Sequence, residues 1–239
     1  LISGVDGVVG GEIVNELSKN KKYKLYLLSN KNKNKKKAKL FYQNLTKPIN
    51  FKIKPYAIIH CAAKHPFSKT GNSMRNVYST NIKMTQNLIR FANKNNVKKI
   101  IFLSTVDVYG IIKNKIVSEN QKPYKPNLYG KSKFLSETLF CQKNNKFKAI
   151  CLRIPSVLTF DLKKNNPLII RLIKRIMRNE NVYTYNLEKK FNNILDVKEI
   201  VKFIIIFLKK KKIQNEIYNF SASSPVKFIY MINLIKRIF

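Results

Sequence analysis

The sequence predicts an α/β fold: a doubly wound parallel sheet with helices on both faces. Three observations carry that prediction. Apolar strand-like runs alternate with segments of helical spacing ahead of Pro155. Glycine is scarce, seven in all, yet Gly4, Gly7, Gly10 and Gly11 crowd into the first eleven residues. The run 99–104 (KIIFLS) is almost continuously apolar, as expected of a strand covered on both faces.

Taken in order, residues 1–3 read as the end of a strand, the glycines as a tight turn, and 13–17 as the apolar face of a helix. Residues 23–28 (YKLYLL) follow as a second strand, completing a right-handed βαβ unit. After the Lys/Asn-rich stretch 31–39, residues 57–59 form a short buried strand, and 76–93 space Val77, Met84, Leu88 and Phe91 as one helix face. Residues 126–140 do the same with Leu128, Leu135 and Leu139, and 147–154 (FKAICLRI) form the next buried strand. Beyond Pro155 the alternation weakens. Residues 168–177 read as a basic amphipathic helix, 196–208 as a second helix, 216–220 as a short strand and 228–239 as a last helix. The lysines 209–212 read as a helix end, where cations meet the negative pole of the dipole.

The 239 residues carry 48 Lys and Arg against 12 Asp and Glu, a formal charge of +36, with 44% hydrophobic residues. That hydrophobic share builds a core and excludes a solvated polycation. The charge raises a polyanion partner, since cations that neutralise phosphates supply most non-specific nucleic-acid affinity. Its distribution argues otherwise. Only 7 of the basic residues are Arg, and Lys alternates with Asn in stretches such as 30–37 (NKNKNKKK), which reads as compositional bias and a solvated basic surface. No nucleic-acid partner is expected. Cys61, Cys141 and Cys151 have no CxxC spacing, and His60 and His65 are too few to build a centre, so neither a disulfide framework nor a metal is expected. The longest apolar stretch, 203–208, is too short to span a bilayer, and no signal peptide is visible. A cytoplasmic protein without membrane insertion is the expectation, with a few residues missing ahead of Leu1, where Met is absent.

Two patterns carry chemistry. The turn 3–10 (SGVDGVVG) lets the backbone approach a pyrophosphate, whose charge a helix N-terminus then stabilises. Asp6 stands oddly in such a turn, because a carboxylate facing phosphate is repulsive, and it fits only if its side chain points away. Tyr129 and Lys133 lie four apart in a helical segment, so both side chains share one face and the ammonium can stabilise a phenolate. The spacing alone does not single them out, since Tyr109 with Lys113 and Tyr185 with Lys189 repeat it. Context does: Tyr129 follows the strand ending LSTVDVYG, and ligands of doubly wound sheets bind at such carboxyl ends.

These motifs, in this order, resemble the extended short-chain dehydrogenase/reductase superfamily, in its NAD(P)-dependent epimerase/dehydratase group acting largely on nucleotide sugars. Gly4, Gly7 and Gly10 match its GxxGxxG. The segment 58–63 (IIHCAA) resembles its strand ending H-x-A-A, Asn81 with Asn87 and Leu88 its N-x-x-G-T-x-N-L helix, and 97–110 (VKKIIFLSTVDVYG) the strand that delivers the catalytic Ser or Thr. The resemblance covers nearly the whole chain. It implies a Rossmann-like fold with Thr105, Tyr129 and Lys133 as catalytic residues. Tyr129 would exchange a proton with a substrate hydroxyl, Thr105 would bond the same oxygen, and Lys133 would lower the pKa of Tyr129 and hold the nicotinamide ribose. It also implies cofactor contacts from Gly4, Gly7, Val8, Val9, Gly10, Ser29, Asn30, Lys31, Ala62, Ala63, Asn81, Ser104, Tyr129, Lys133 and Pro155. Substrate contacts would come from Thr105, Ser156 and Val157. A nucleotide sugar is the implied substrate and a homodimer an implied assembly.

The chain also departs from the pattern. The second strand ends Ser29-Asn30-Lys31 without the carboxylate that accepts from a ribose 2′-hydroxyl, which favours NADP over NAD. Ser156 stands where many sugar-nucleotide epimerases carry Asn, which leaves a keto-sugar reductase nearly level with an epimerase. His60 and Cys61 are expected to be packed; Tyr109 either faces substrate or packs, Asp107 caps or braces the substrate loop, and Asp196 in 192–200 (NNILDVKEI) resembles the family's helix-opening Asp, which implies an N-cap. The expected organisation is a cofactor domain over residues 1–155 and a small substrate-binding region over 156–239, interwoven with the sheet and incomplete. A catalytically silent Rossmann module binding NADP or RNA is the competing reading of another class.

Overall fold

The computed structural model describes residues 1–31, 38–66, 73–114, 116–159, 168–191 and 193–238. The basic run over 32–37 and Phe239 therefore lie outside the described residues. In chain order the elements are β1 (Ile2–Ser3), α1 (Val8–Ser18), β2 (Tyr26–Ser29), β3 (Lys39–Tyr42), β4 (Ala57–His60), α2 (Met74–Lys94) and β5 (Lys99–Thr105). A 3-10 turn (Val106–Tyr109), α3 (Leu128–Phe140), β6 (Lys148–Ile154), β7 (Ser156–Leu158), α4 (Leu168–Ile176) and β8 (Lys190–Phe191) follow. The chain ends through β9 (Ile194–Asp196), α5 (Val197–Lys209), β10 (Glu216–Asn219), β11 (Val226–Lys227) and α6 (Phe228–Ile238).

Seven strands form one sheet in the order β10-β6-β5-β4-β1-β2-β3, and every pairing is parallel. This is the Rossmann-like doubly wound order. The chain steps outward from β1 through β2 to β3, then crosses to β4 on the other side, opening a crevice at the carboxyl ends of β1 and β4. Alternate side chains of each strand enter opposite cores. Ile101 and Leu103 of β5 join Ile13 and Leu17 of α1 and Ile200 and Ile204 of α5. Ile100 and Phe102 join Leu88 and Phe91 of α2 and Phe140 of α3. Burying both faces is what made β5 read as an unbroken apolar run.

Two differences from the sequence expectation have simple causes. β2 begins at Tyr26 rather than at residue 23, because its neighbours are short: β3 pairs from Lys39↔Tyr26 and β1 supplies two partners. β3 was not expected at all. It is the sheet edge, with Leu40 and Phe41 half-buried and Lys39 and Tyr42 exposed, so it lacks the buried run that marks the inner strands.

Asp196 does cap α5, accepting from Lys198 N at 2.7 Å. The other end of α5 is closed from inside the sheet. Lys99, 2% exposed, donates to the carbonyls of Phe207 and Leu208, both at 3.2 Å, and of Lys210. The cation at the negative pole is thus a strand residue as well as the terminal Lys209.

Past β6 the chain leaves the sheet and returns. β7 pairs with β9, and β8 with β11, as two small separate sheets. α5 and β10 rejoin the main layers, while α4 and α6 pack on each other through Ile169, Leu172, Ile232 and Ile235. No described helix is long and apolar enough to cross a membrane.

Candidate active site

The crevice is built first from glycine. Gly4 takes φ +72°, and a Cβ there would sit 2.5 Å from Ala62 N; one on Gly10 would sit 2.2 Å from Gly4 O. The turn therefore presses β1, the end of β4 and the start of α1 together, which a side chain would prevent. Ser3 ties the same corner, its hydroxyl bonding His60 Nδ1 at 2.7 Å and accepting from Ala62 N at 3.4 Å. Side chains cap α2 (Ser73), α3 (Asn127) and α5 (Asp196), whereas Gly7 caps α1 with none. The first-turn amides of Val8, Val9 and Gly10 are left for an anion. This cradle fits the diphosphate of a dinucleotide. Asp6 turns away from it, as its place required, accepting from the Ser29 hydroxyl at the end of β2. Asn30 and Lys31 are exposed beside it.

Thr105 ends β5, and its hydroxyl accepts from Asp107 N at 3.2 Å, starting the 3-10 turn. α3 is driven against that turn by Gly130, where a Cβ would sit 2.2 Å from Asp107 O. The preceding residue, Tyr129, is thereby buried beside the turn carrying Thr105 and Asp107, with the His65 ring edge-on at 4.9 Å between centroids. Lys133, one turn later, is also buried, its Nζ 4.1 Å from the centre of the Phe102 ring. The structure thus brings the β5 end and the expected Tyr and Lys to one place.

The electrostatics differ from the expectation. Burial, and then the Asp107 carboxylate, hold Tyr129 above the ordinary phenol value. Lys133, expected to lower Tyr129, does not govern it. Its ammonium lies against the sheet, where burial brings it down to about 8 despite the opposing Glu137 carboxylate. Burial also lowers His65 and raises Asp107, each partly offset by the other. His60, pushed down to about 3 by burial and Lys133, is a packed neutral ring on Phe102, as expected of it. Cys61, raised to about 12 by burial, is inert at neutral pH.

Several residues expected at the cofactor or substrate also make contacts within the protein. Both amide hydrogens of Asn81 are committed, to Lys64 O at 3.1 Å and Ser132 Oγ at 3.1 Å, while its oxygen accepts from Lys64 N at 2.8 Å. It therefore positions the loop after β4 against α3. Ser104 is buried and donates to Glu137. Val157 packs in the core beside α5, and Pro155 is buried, while Ser156 opens β7 half-exposed. Ala62, half-buried against the core, and Ala63, exposed, follow the end of β4.

The sequence reading missed a buried polar brace. Arg153 of β6 pairs with Glu137 of α3 through Nη2 at 2.7 Å and Nε at 3.0 and 3.2 Å, both side chains at most 2% exposed. Its Nη1 reaches Tyr109 Oη at 2.7 Å and Glu119 O at 3.0 Å. Tyr109 lies against Asn219 Oδ1 at 2.6 Å, so it packs rather than facing substrate. The brace fixes the 3-10 turn and the loop beyond it to the sheet. A mid-helix Glu in so lysine-rich a chain was its only trace in the sequence. Among the described residues, no group of three or more His, Cys, Asp or Glu could hold a metal.

Comparison with known proteins agrees with this geometry. The model of the NAD dependent epimerase/dehydratase family matches residues 1–221. The N-acetyl-alpha-D-glucosaminyl-diphospho-ditrans,octacis-undecaprenol 4-epimerase of Escherichia coli O157:H7 is 29% identical over 167 residues, 68% of this chain and 48% of that protein. An uncharacterized protein of Methanocaldococcus jannaschii is 31% identical over 166 residues, 64% of this chain and 47% of its own. The chain spans about half the length of these curated relatives. Among solved structures, UDP-glucose 4-epimerase of Thermotoga maritima superposes with TM-score 0.82 at 22% identity, covering 99% of this chain and 81% of that one. UDP-N-acetylglucosamine 4-epimerase of Methanobrevibacter ruminantium M1 gives 0.82 at 20%, covering 99% and 80%. Bordetella bronchiseptica WbmG, solved with NAD and UDP, gives 0.81 at 16%, covering 99% and 76%. With the glycine cradle, the β5 end and the α3 face in place and a family match over most of its length, the chain belongs to the NAD dependent epimerase/dehydratase family.

Proposed function

We propose that the chain binds a nicotinamide dinucleotide along the β1–β4 crevice and inverts one carbinol centre of a sugar carried on a diphosphate, as a nucleotide-sugar 4-epimerase. The carrying observation is that Tyr129 and Lys133 are buried on one face of α3 beside Thr105, at the same sheet edge as the uncapped N-terminus of α1. The names of the related 4-epimerases support the substrate class.

The protein's part is position and proton. The amides of Val8, Val9 and Gly10 would hold the diphosphate, and Lys133 the ribose hydroxyls near the reacting carbon. With a nicotinamide held there, the chemistry supplied would be reversible hydride exchange with the sugar carbon, and these residues would set its position. Tyr129 accepts the sugar hydroxyl's proton in the oxidising half and returns it in the reducing half, while Thr105 Oγ1 bonds the same oxygen. Accepting that proton requires Tyr129 to start as the phenolate, whereas burial and the Asp107 carboxylate hold it above the ordinary phenol value, so the cationic ring of an oxidised nicotinamide and Lys133 would have to favour the phenolate.

The test supplies UDP-glucose and UDP-N-acetylglucosamine with either nicotinamide dinucleotide and follows product by NMR and reduced dinucleotide by absorbance. Epimer formation without net dinucleotide turnover is expected, and Tyr129→Phe should lower its rate by about 10²-fold or more. Unchanged turnover in Tyr129→Phe would falsify the assigned roles. Ser156, half-exposed at the start of β7, favours one second reading, a keto-sugar reductase. Stoichiometric oxidation of NADPH would decide for it.

A further inference from the structure

The tip of β2, where an adenosine ribose meets a doubly wound sheet, reads Ser29-Asn30-Lys31 and has no carboxylate of its own. The fold brings one from elsewhere. Asp6, in the glycine turn, accepts from Ser29 Oγ, and the same hydroxyl accepts from Lys31 N at 2.9 Å, so turn and strand tip are fastened together. The side chain is solvent-exposed, and its Oδ1 has no hydrogen bond among the described residues.

We infer that Asp6, held at the β2 tip by Ser29, is the acceptor for the ribose 2′-hydroxyl and makes the chain select NAD over NADP. The inference rests on the proposed dinucleotide site and names its cofactor. A hydroxyl donates to the free carboxylate oxygen. A 2′-phosphate offers no donor when ionised and brings further negative charge against a carboxylate that Ser29 holds in place. Among the described residues Lys31 is the opposing charge, and with Ser29 and Asn30 it made NADP the sequence expectation. Its side chain is exposed, and an exposed ammonium gains little from pairing across water, whereas Asp6 is already fixed. A site built to bond a hydroxyl discriminates strongly against a ligand lacking it.

The experiment measures dissociation constants by calorimetry for NAD+, NADP+ and 2′-deoxy-NAD+ on the intact chain and on Asp6→Ala and Ser29→Ala, with circular dichroism to verify folding. On the wild type, NAD+ should bind at least about tenfold more tightly than either of the other two. Asp6→Ala should bring all three within about threefold of one another, and Ser29→Ala should narrow the gap part of the way. Equal affinity of the wild type for NAD+ and 2′-deoxy-NAD+ would mean that Asp6 only braces Ser29, and tighter NADP+ would mean that Lys31 decides. Either overturns the inference while leaving the dinucleotide site standing. Binding of none of the three ligands would sink both together. If Asp6→Ala fails to fold, the wild-type comparison with 2′-deoxy-NAD+ still decides.

Discussion

Two lysines are buried at opposite edges of the sheet, Lys99 at 2% exposure and Lys133 at 3%, and their surroundings could hardly differ more. Lys99, at the amino end of β5, satisfies its ammonium on three carbonyls at the end of α5. Lys133, on α3 near the carboxyl end of β5, lies over the Phe102 ring and has no hydrogen-bond acceptor among the described residues. One cation completes the fold. The other is held at a cost without an acceptor, which is what its proposed role toward ribose hydroxyls requires.

The sharpest break in this comparison is Lys133→Met. On the proposed function, epimerase turnover should fall by about 10³-fold, because the group proposed to hold the dinucleotide near Tyr129 is gone. Stability should move the other way. Burial lowers Lys133 from 10.5 to about 8, so between those pH values the unfolded chain binds more protons and wild-type stability rises with pH. Below pH 8 the buried cation costs on the order of 3 kcal/mol. Lys133→Met should therefore be more stable than wild type by up to that amount at pH 7, with the advantage gone above pH 10.5. Denaturant melts at pH 7 and pH 10.5 measure the difference, and equal stabilities at pH 7 would show that the ammonium is better solvated than its burial implies.

Glu137→Ala comes next. It leaves the Arg153 guanidinium buried without its carboxylate and should cost about 3–5 kcal/mol in a urea melt. The same change removes the charge that opposes the lowering of Lys133, so Lys133 should titrate still lower. Lys99→Met follows, at about 1–3 kcal/mol, as the α5 carbonyls lose their donor. It should leave turnover at 25 °C within about twofold of wild type, in direct contrast to Lys133.

What the sequence made legible follows the same division. Scarce residues were readable: four clustered glycines marked the cradle, and Asp196 marked the α5 cap. Lys133 was found only by its place after the β5 strand, and Lys99 not at all, since lysine is common throughout and its partners lie more than a hundred residues away. Asn81 and Ser104 were expected to meet the cofactor, and nothing in the sequence signalled the bonds they make within the protein. Their partners, Ser132 and Glu137, sit on α3, and only the packed helix shows that their polar groups are already engaged. β7, β8, β9 and β11 are two or three residues long, too short for any periodicity to register. The Asp6–Ser29 bond joins residues 23 apart, across a helix, so the sequence could say that Asp6 must turn away but not where it goes.

The smallest change in stability asks whether the catalytic edge is left open for a ligand as the other is not. Gly7 caps α1 at φ −81°, ψ 168°, an extended conformation that any residue adopts. Serine should therefore be tolerated there, with its Cβ about as close to Gly4 O as the 3.3 Å that glycine's geometry allows. A serine hydroxyl would accept from a first-turn amide, as Ser73 and Asn127 do for α2 and α3. Serine in place of glycine at an N-cap adds only a few tenths of a kcal/mol to stability. It would also occupy a donor proposed for the diphosphate. Gly7→Ser should thus melt no earlier than wild type yet bind ADP-ribose about tenfold more weakly, the loss of one hydrogen bond to a charged group. Equal affinity in the two proteins would show that the α1 amides are not what holds the diphosphate, and the contrast between the two edges would then rest on Lys133 alone.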